Sequence, residues 1–404
     1  MDTDEWVLAP GNPAAEWWMT RPGCRTVLAV VPHLQAGTRL LDVLPVLETD
    51  HRVAVMFTTP ATGHHWYGVA EFTRSLGGLV LPWQQAVRTR FDLALAACHW
   101  GVGELNAPLV VLPHGSGSVR SRIGPRTPEA ATLPGHDLHP GHLMRDGRVV
   151  PAALVLAHDD ERSVLRQSCP QALPRAVVVG DPCFDRMLAS RSLRRLYREA
   201  LGVRAGQRLV VVSTTWSPHS LFGTDIELFD QLATQLPAEH YRVVAVIHPF
   251  VWAECGRRQV LLWLAKARAA GLVVVPPEEG WRGALVGADC VVGDHGSVTQ
   301  YAAGLGVPVL MATASRADVR PGSTADALAQ VAAPLRMDQS LLPQIQRACA
   351  GPVPPGFAEI AGRITSRPGQ SAAILRRTLY RLLGLPEPAC GLPVSPVPLP
   401  EVIA

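Results

Sequence analysis

One repeated feature restricts the fold more than any other. From residue 26 onward, short uninterrupted apolar runs alternate with longer mixed segments of helix length. The runs are 26–31 (TVLAVV), 52–57 (RVAVMF), 79–81, 93–97, 109–112, 152–157 and 176–180 (AVVVG). A strand with one wet face alternates apolar and polar residues. Continuous runs suit strands buried on both faces, the environment of a parallel sheet covered by helices. Segment 38–47 (TRLLDVLPVL) places leucine and valine at helical spacing and is expected to form the first crossover helix, despite Pro45 near its end.

A second set of runs follows the basic, helix-forming segment 191–201: 209–213, 243–247, 272–275, 290–293 and 308–312. Because strand and helix alternate in both halves, the expected class is α/β, with two Rossmann-like, doubly wound parallel-sheet domains facing a central cleft. A length of 404 residues suits two domains better than one. The expected boundaries are 20–185 for an N-terminal domain, 186–368 for a C-terminal domain, 369–385 for a helix and 386–404 for an extended proline-rich tail.

Composition narrows the function. Hydrophobic residues make up 48% of the chain, enough for buried cores, and 37 basic against 34 acidic residues leave only +3. So small a surplus, with no recognition motif, argues against a nucleic-acid surface. Lys266 is the only lysine, which excludes a Walker-type phosphate loop. The eight cysteines contain no C-x-x-C pair, so neither a zinc ribbon nor a disulfide framework is expected; Cys98 and Cys290 read as small core residues. The acidic start 1–6 lacks the charge and apolar pattern of a signal peptide, and no run is long enough to span a bilayer. A soluble cytoplasmic protein is expected, with peripheral membrane contact left open.

Ligands of doubly wound sheets bind beyond the carboxyl ends of the strands. At those corners stand Pro113-His-Gly-Ser-Gly-Ser118, Ser213-Thr-Thr-Trp-Ser-Pro-His219, His248-Pro249 and Asp294-His-Gly-Ser297, with His33 after the first run. A lone histidine after a strand is commonly structural. Four corners that all carry His, Ser or Thr point to a site. The last corner opens a short helix whose Val298, Tyr301, Ala302 and Leu305 share a face, with Gly306 beyond its end. Asp294 or Ser297 capping that helix is one reading. The other is an anion cradle, with Gly296 allowing close approach and Ser297 and Thr299 adding hydroxyl donors.

Aspartate, one variable residue, a Gly/Ser pair, a small helix and then GVPVL resemble the nucleotide-binding domain of GT-B transferases. The pattern is most similar to the CDP-glycerol glycerophosphotransferases of teichoic-acid assembly, and is also similar to the non-hydrolysing UDP-N-acetylglucosamine 2-epimerases. Val179-Gly-Asp-Pro-Cys-Phe-Asp-Arg-Met-Leu188 resembles their segment between domains, His248-Pro249 their donor-phosphate HP pair, and Pro113-His-Gly115 the HG pair of the glycerophosphotransferases. Two departures stand out. Asp294-His-Gly-Ser297 replaces a tyrosine- or serine-rich DYSS, and Gln300 and Tyr301 stand where many relatives carry an acidic residue in the helix.

The resemblance implies transfer of a glycosyl or glycerol-phosphate group from a nucleotide-diphosphate donor to an acceptor hydroxyl, with no metal and no cofactor beyond the donor. It makes His114 the base. Donor and phosphate contacts are expected from His248, Asp294, His295, Gly296, Ser297, Thr299, Thr214 and Thr215. Trp216, Glu278 and Glu279 are candidate ribose or base contacts, and His33, Gly115 and Ser116 stand on the acceptor side. Two other readings use the same fold: a nucleotide-sugar 2-epimerase or hydrolase, and a non-catalytic nucleotide-binding scaffold. The acceptor is open, as is the donor nucleotide among CDP, UDP, TDP and GDP.

Overall fold

The computed structural model describes residues 6–9, 20–60, 68–117, 136–312, 318–389, 391 and 394–403. The chain forms two compact units. Of the described residues, the first takes those within 6–117, 136–183 and 366–394, and the second those within 184–365 and 395–403.

In unit 1, seven strands form one sheet: β1 (Arg25–Val30), β2 (Val53–Thr58), β3 (Leu79–Leu81), β4 (Leu93–Ala96), β5 (Leu109–Val111), β8 (Ala153–Leu156) and β9 (Ala176–Val178). A two-stranded hairpin, β6 (Met144–Arg145) and β7 (Arg148–Val149), lies between β5 and β8 in sequence. The sheet order is β3-β2-β1-β4-β5-β8-β9 and every pairing in it is parallel. Burial explains the uninterrupted runs. Val27 and Ala29 point into one core cluster and Leu28 and Val30 into another, all four fully buried. Both faces of β1 are dry, so neither tolerates a polar alternation.

The expected helix over 38–47 is instead two helices, Leu34–Leu40 and Pro45–Glu48. Pro45 has no N–H to give to the turn before it, so it opens a new helix rather than continuing the old one. The first helix begins earlier because His33 caps it, its Nδ1 accepting the Ala36 N–H at 3.2 Å. Helix Ser371–Leu383 forms as its spacing predicts. Leu375, Leu379 and Leu383 enter the unit 1 core, and the Tyr380 hydroxyl donates to Asp50 Oδ2 at 2.8 Å.

Unit 2 repeats the architecture with β10 (Arg208–Thr214), β11 (Tyr241–Ile247), β12 (Val273–Val274), β13 (Cys290–Gly293), β14 (Val309–Met311) and β15 (Ala333–Pro334). Their order is β12-β11-β10-β13-β14-β15, again all parallel. The end of the proline-rich stretch packs on this unit without forming helix or strand. Val397 is buried, its N–H donates to Ser190 Oγ at 2.9 Å, and its carbonyl accepts from the Tyr197 hydroxyl at 2.7 Å. The Ile403 N–H donates to the Val274 carbonyl at 2.8 Å, occupying one acceptor of edge strand β12. Among the described residues no helix is long and apolar enough to cross a membrane.

Candidate functional site

In each sheet the strand order reverses once, between β1 and β4 in unit 1 and between β10 and β13 in unit 2. Crossovers leave such a point in opposite directions, which opens a crevice at the carboxyl ends of the two central strands. Thr214 ends β10 and Asp294 follows β13, so these two corners flank the crevice of unit 2.

Asp294 is fully buried, and its carboxylate organises both corners. It accepts the Thr215 N–H at 3.1 and 2.8 Å, the Leu221 N–H at 3.0 Å, the Gly296 N–H at 3.0 Å and the Thr214 hydroxyl at 3.2 Å. The side chain therefore pins the loop after β10 to the start of helix Ser297–Gly304. Thr214 is equally committed, its hydroxyl also accepting the Phe222 N–H at 2.9 Å. Thr215 lies buried against Gly296, where a Cβ would come within 3.1 Å of the threonine Cβ and 3.2 Å of Asp294 Oδ1. Glycine at 296 thus lets one corner sit tightly on the other.

The helix N-cap is Gly296 itself, and among the described residues no side chain caps it. Asp294 serves the cap residue's own N–H, one position before the helix, and Ser297 is the first helical residue. The helix start, with the positive end of its dipole, consequently lies at the switch point. Behind them the Thr299 hydroxyl is fully buried, packed against Gly293, and makes no hydrogen bond. Gln300 is buried with its amide on the His295 carbonyl at 3.3 Å, and Tyr301 packs on Phe184 and Trp281. The two residues standing where relatives carry an acidic group are thus core residues.

His248 caps helix Pro249–Cys255, its Nδ1 accepting the Phe250 N–H at 3.1 Å. That bond makes Nδ1 the acceptor, so the neutral ring carries its proton on Nε2 and presents a donor there. Trp216 packs on Phe250 with centroids 4.2 Å apart and the rings tilted by 30°, and lies 6.3 Å from the His248 ring. His295 is buried with Nε2 3.8 Å from Asp318 Oδ2, and the same oxygen accepts the Ser217 hydroxyl at 2.6 Å. Ser217 holds a φ of +133°, a strained conformation for a residue with a side chain. Asp318 and Ser217 escape a sequence reading because nothing in their spacing joins residues 101 positions apart.

Glu278 and Glu279 follow β12, the edge strand, rather than a strand of the switch point. Glu279 pairs with the buried Arg282 at 3.2 Å and accepts the Gly280 N–H at 2.9 Å; Glu278 is half-buried. Among the described residues no group of three or more His, Cys, Asp or Glu side chains is placed to hold a metal ion.

In unit 1, His33 follows β1 and His114 follows β5. Their rings meet edge to face, 5.4 Å apart at 79°. His33 is buried and His114 exposed. Burial, aided by the second imidazole, pushes His33 down to about 3, so it is neutral at neutral pH. Ser116 is buried, and the Gly115 carbonyl accepts from Arg39 Nη2 at 3.2 Å. Arg39 also forms an ion pair with Asp181 at 2.9 Å, both side chains being buried.

Solved structures share this arrangement of strands and helices. The Wall Teichoic Acid Polymerase TagF, in a histidine-to-asparagine variant, is similar with a TM-score of 0.57 at 11% identity, covering 90% of each chain. The same variant soaked with CDPG is similar at 0.54 and 10%, covering 89% of this chain and 88% of that one. The MnaA–UDP co-structure from S. aureus gives 0.54 and 11%, covering 91% and 99%. The chain has the GT-B fold. At these identities the likeness establishes the fold alone. No protein-family model matches the sequence, and no curated protein does either.

Proposed function

We propose that this GT-B protein is a transferase that moves a glycosyl or glycerol-phosphate group from a nucleotide-diphosphate donor to an acceptor hydroxyl. One observation carries the reading: the helix at the switch point of unit 2 starts at a glycine, has no side-chain cap among the described residues and stands over a buried threonine hydroxyl that makes no hydrogen bond. A helix start that only needed a cap would have received Asp294, which is turned to other work. The TagF soaked with CDPG and the MnaA–UDP co-structure are proteins of this fold named with nucleotide ligands, which supports placing a nucleoside diphosphate here.

In this reading the diphosphate lies on the helix start at Ser297 and Val298, with the Ser297 hydroxyl and His248 Nε2–H as further donors, while the buried Thr299 hydroxyl stays behind the first turn. Charge grows on the leaving diphosphate as the donor bond breaks, so fixed donors stabilise the transition state more than the ground state. His114 takes the acceptor proton. The carboxylates the structure places at this corner are engaged, Asp294 with the corner loops and Asp318 with the Ser217 hydroxyl, which disfavours an epimerase using a carboxylate on the sugar.

Calorimetry against CDP, UDP, GDP and TDP tests the proposal, followed by donor turnover in His114→Ala. Micromolar binding of one nucleotide is expected, with turnover cut by roughly 10²–10⁴-fold in the variant and affinity retained. No binding by any of the four sinks the reading. Full turnover in His114→Ala removes the base.

A further inference from the structure

Arg39 carries a full charge into the interior of unit 1, where it is 5% exposed and its partner Asp181 is 1% exposed. A buried ion pair adds little stability over apolar residues of the same shape, because desolvating two charges consumes most of their attraction. Its geometry is more informative. One arm of the guanidinium, Nη1, holds Asp181 Oδ1 at 2.9 Å, while the other, Nη2, holds the Gly115 carbonyl at 3.2 Å. Gly115 directly follows His114. Arg39 lies in helix Leu34–Leu40, whose cap is His33, and the His33 ring meets the His114 ring at 5.4 Å. One short helix therefore touches the histidine corner twice, through a ring and through a backbone carbonyl. Asp181 stands two residues before Cys183, the last residue of unit 1 before the chain passes to Phe184 of unit 2.

We propose that Arg39 is a positioning residue for His114: with Asp181 as counter-ion, its guanidinium grips the Gly115 carbonyl and fixes the backbone that presents His114 beside His33. The role rests on His114 being the base. Lysine cannot replace the fork, since one ammonium on a flexible stem does not hold two acceptors in fixed directions.

The test is an NMR titration of the histidine rings in the intact protein, in wild type, Arg39→Lys and Arg39→Met, with His33→Gln and His114→Gln to assign the signals. Released from its place, the corner should let the His33 titration rise from about 3 toward the ordinary imidazole range and should shift the His114 signal. Donor turnover should fall on the order of 10²-fold with KM for the donor unchanged, and its pH profile should move. Arg39→Lys keeps the charge opposite Asp181 and guards against a variant that does not fold. Both rings titrating as in wild type in a folded variant, with only Tm lowered, would make Arg39 merely structural and overturn the proposal. Failure of wild type to bind any nucleoside diphosphate sinks the transferase reading instead, and the ring titrations still decide the positioning.

Discussion

Both carboxylate oxygens of Asp294 accept the backbone N–H of Thr215, at 3.1 and 2.8 Å, joining the two corners that flank the switch point of unit 2. Asp294→Asn puts an amide N–H against a row of donors, so at least one buried N–H loses its acceptor. A stability loss of about 2–3 kcal/mol is expected from urea unfolding, hydrogen bonds to charged groups being worth that much. A change under about 0.5 kcal/mol would mean that the corner holds without its carboxylate.

Gly296→Ala places a Cβ 3.1 Å from Thr215 Cβ and 3.2 Å from Asp294 Oδ1, closer than packed atoms settle. The helix start must shift by a few tenths of an ångström, which misaligns its amides. Nucleotide affinity should fall roughly tenfold, about 1.4 kcal/mol, and Ser297→Ala and His248→Ala should each weaken it through a lost donor. Calorimetry on the three variants measures this, and unchanged affinity in all three would place the nucleotide elsewhere.

His33 gives a pH signature. Its folded value, about 3, lies below the ordinary 6.5, so between these values the unfolded chain binds a proton that the folded chain refuses. Its contribution is complete above the unfolded value and is lost as pH falls toward the folded one, at up to about 1.4 kcal/mol per pH unit. His33→Gln should flatten this part of the stability profile. An acid limb of the same slope in the variant would assign the loss to other groups.

Tyr380 fastens helix Ser371–Leu383 to unit 1 through Asp50, whose carboxyl the adjacent Arg52 guanidinium holds far below the usual carboxylate range. The stabilisation is present above the ordinary carboxylate value and disappears as pH falls through the folded one. Tyr380→Phe should cost about 1–2 kcal/mol at neutral pH, visible as a lower Tm. A Tm equal to wild type would show that the leucines alone dock the helix.

Much of the fold could be read directly from the sequence. Runs such as TVLAVV exclude a wet sheet face, and the structure puts Val27 and Leu28 into opposite cores. The single helix expected over 38–47 despite Pro45 was wrong, because Pro45 begins a second helix and His33 supplies the cap that starts the first one upstream. The candidate site was legible at its corners, since polar residues after buried strands have few structural reasons to recur. Which oxygen meets which amide was not. Asp294 reads in the chain as a helix cap, and only the fold turns it toward Thr215 and Leu221, some 73 and more positions away.

The sequence by itself determined the layers, because continuous apolar runs separated by helical segments suit parallel strands covered by helices. It also determined that the strand ends carry histidine, serine and threonine. The tertiary structure decided the direction of each side chain: Asp294 inward, Gly296 uncapped, Thr299 buried with no partner, Arg39 forked between Asp181 and Gly115. Those outcomes depend on pairings between residues far apart in the chain, and local periodicity carries no term for such contacts.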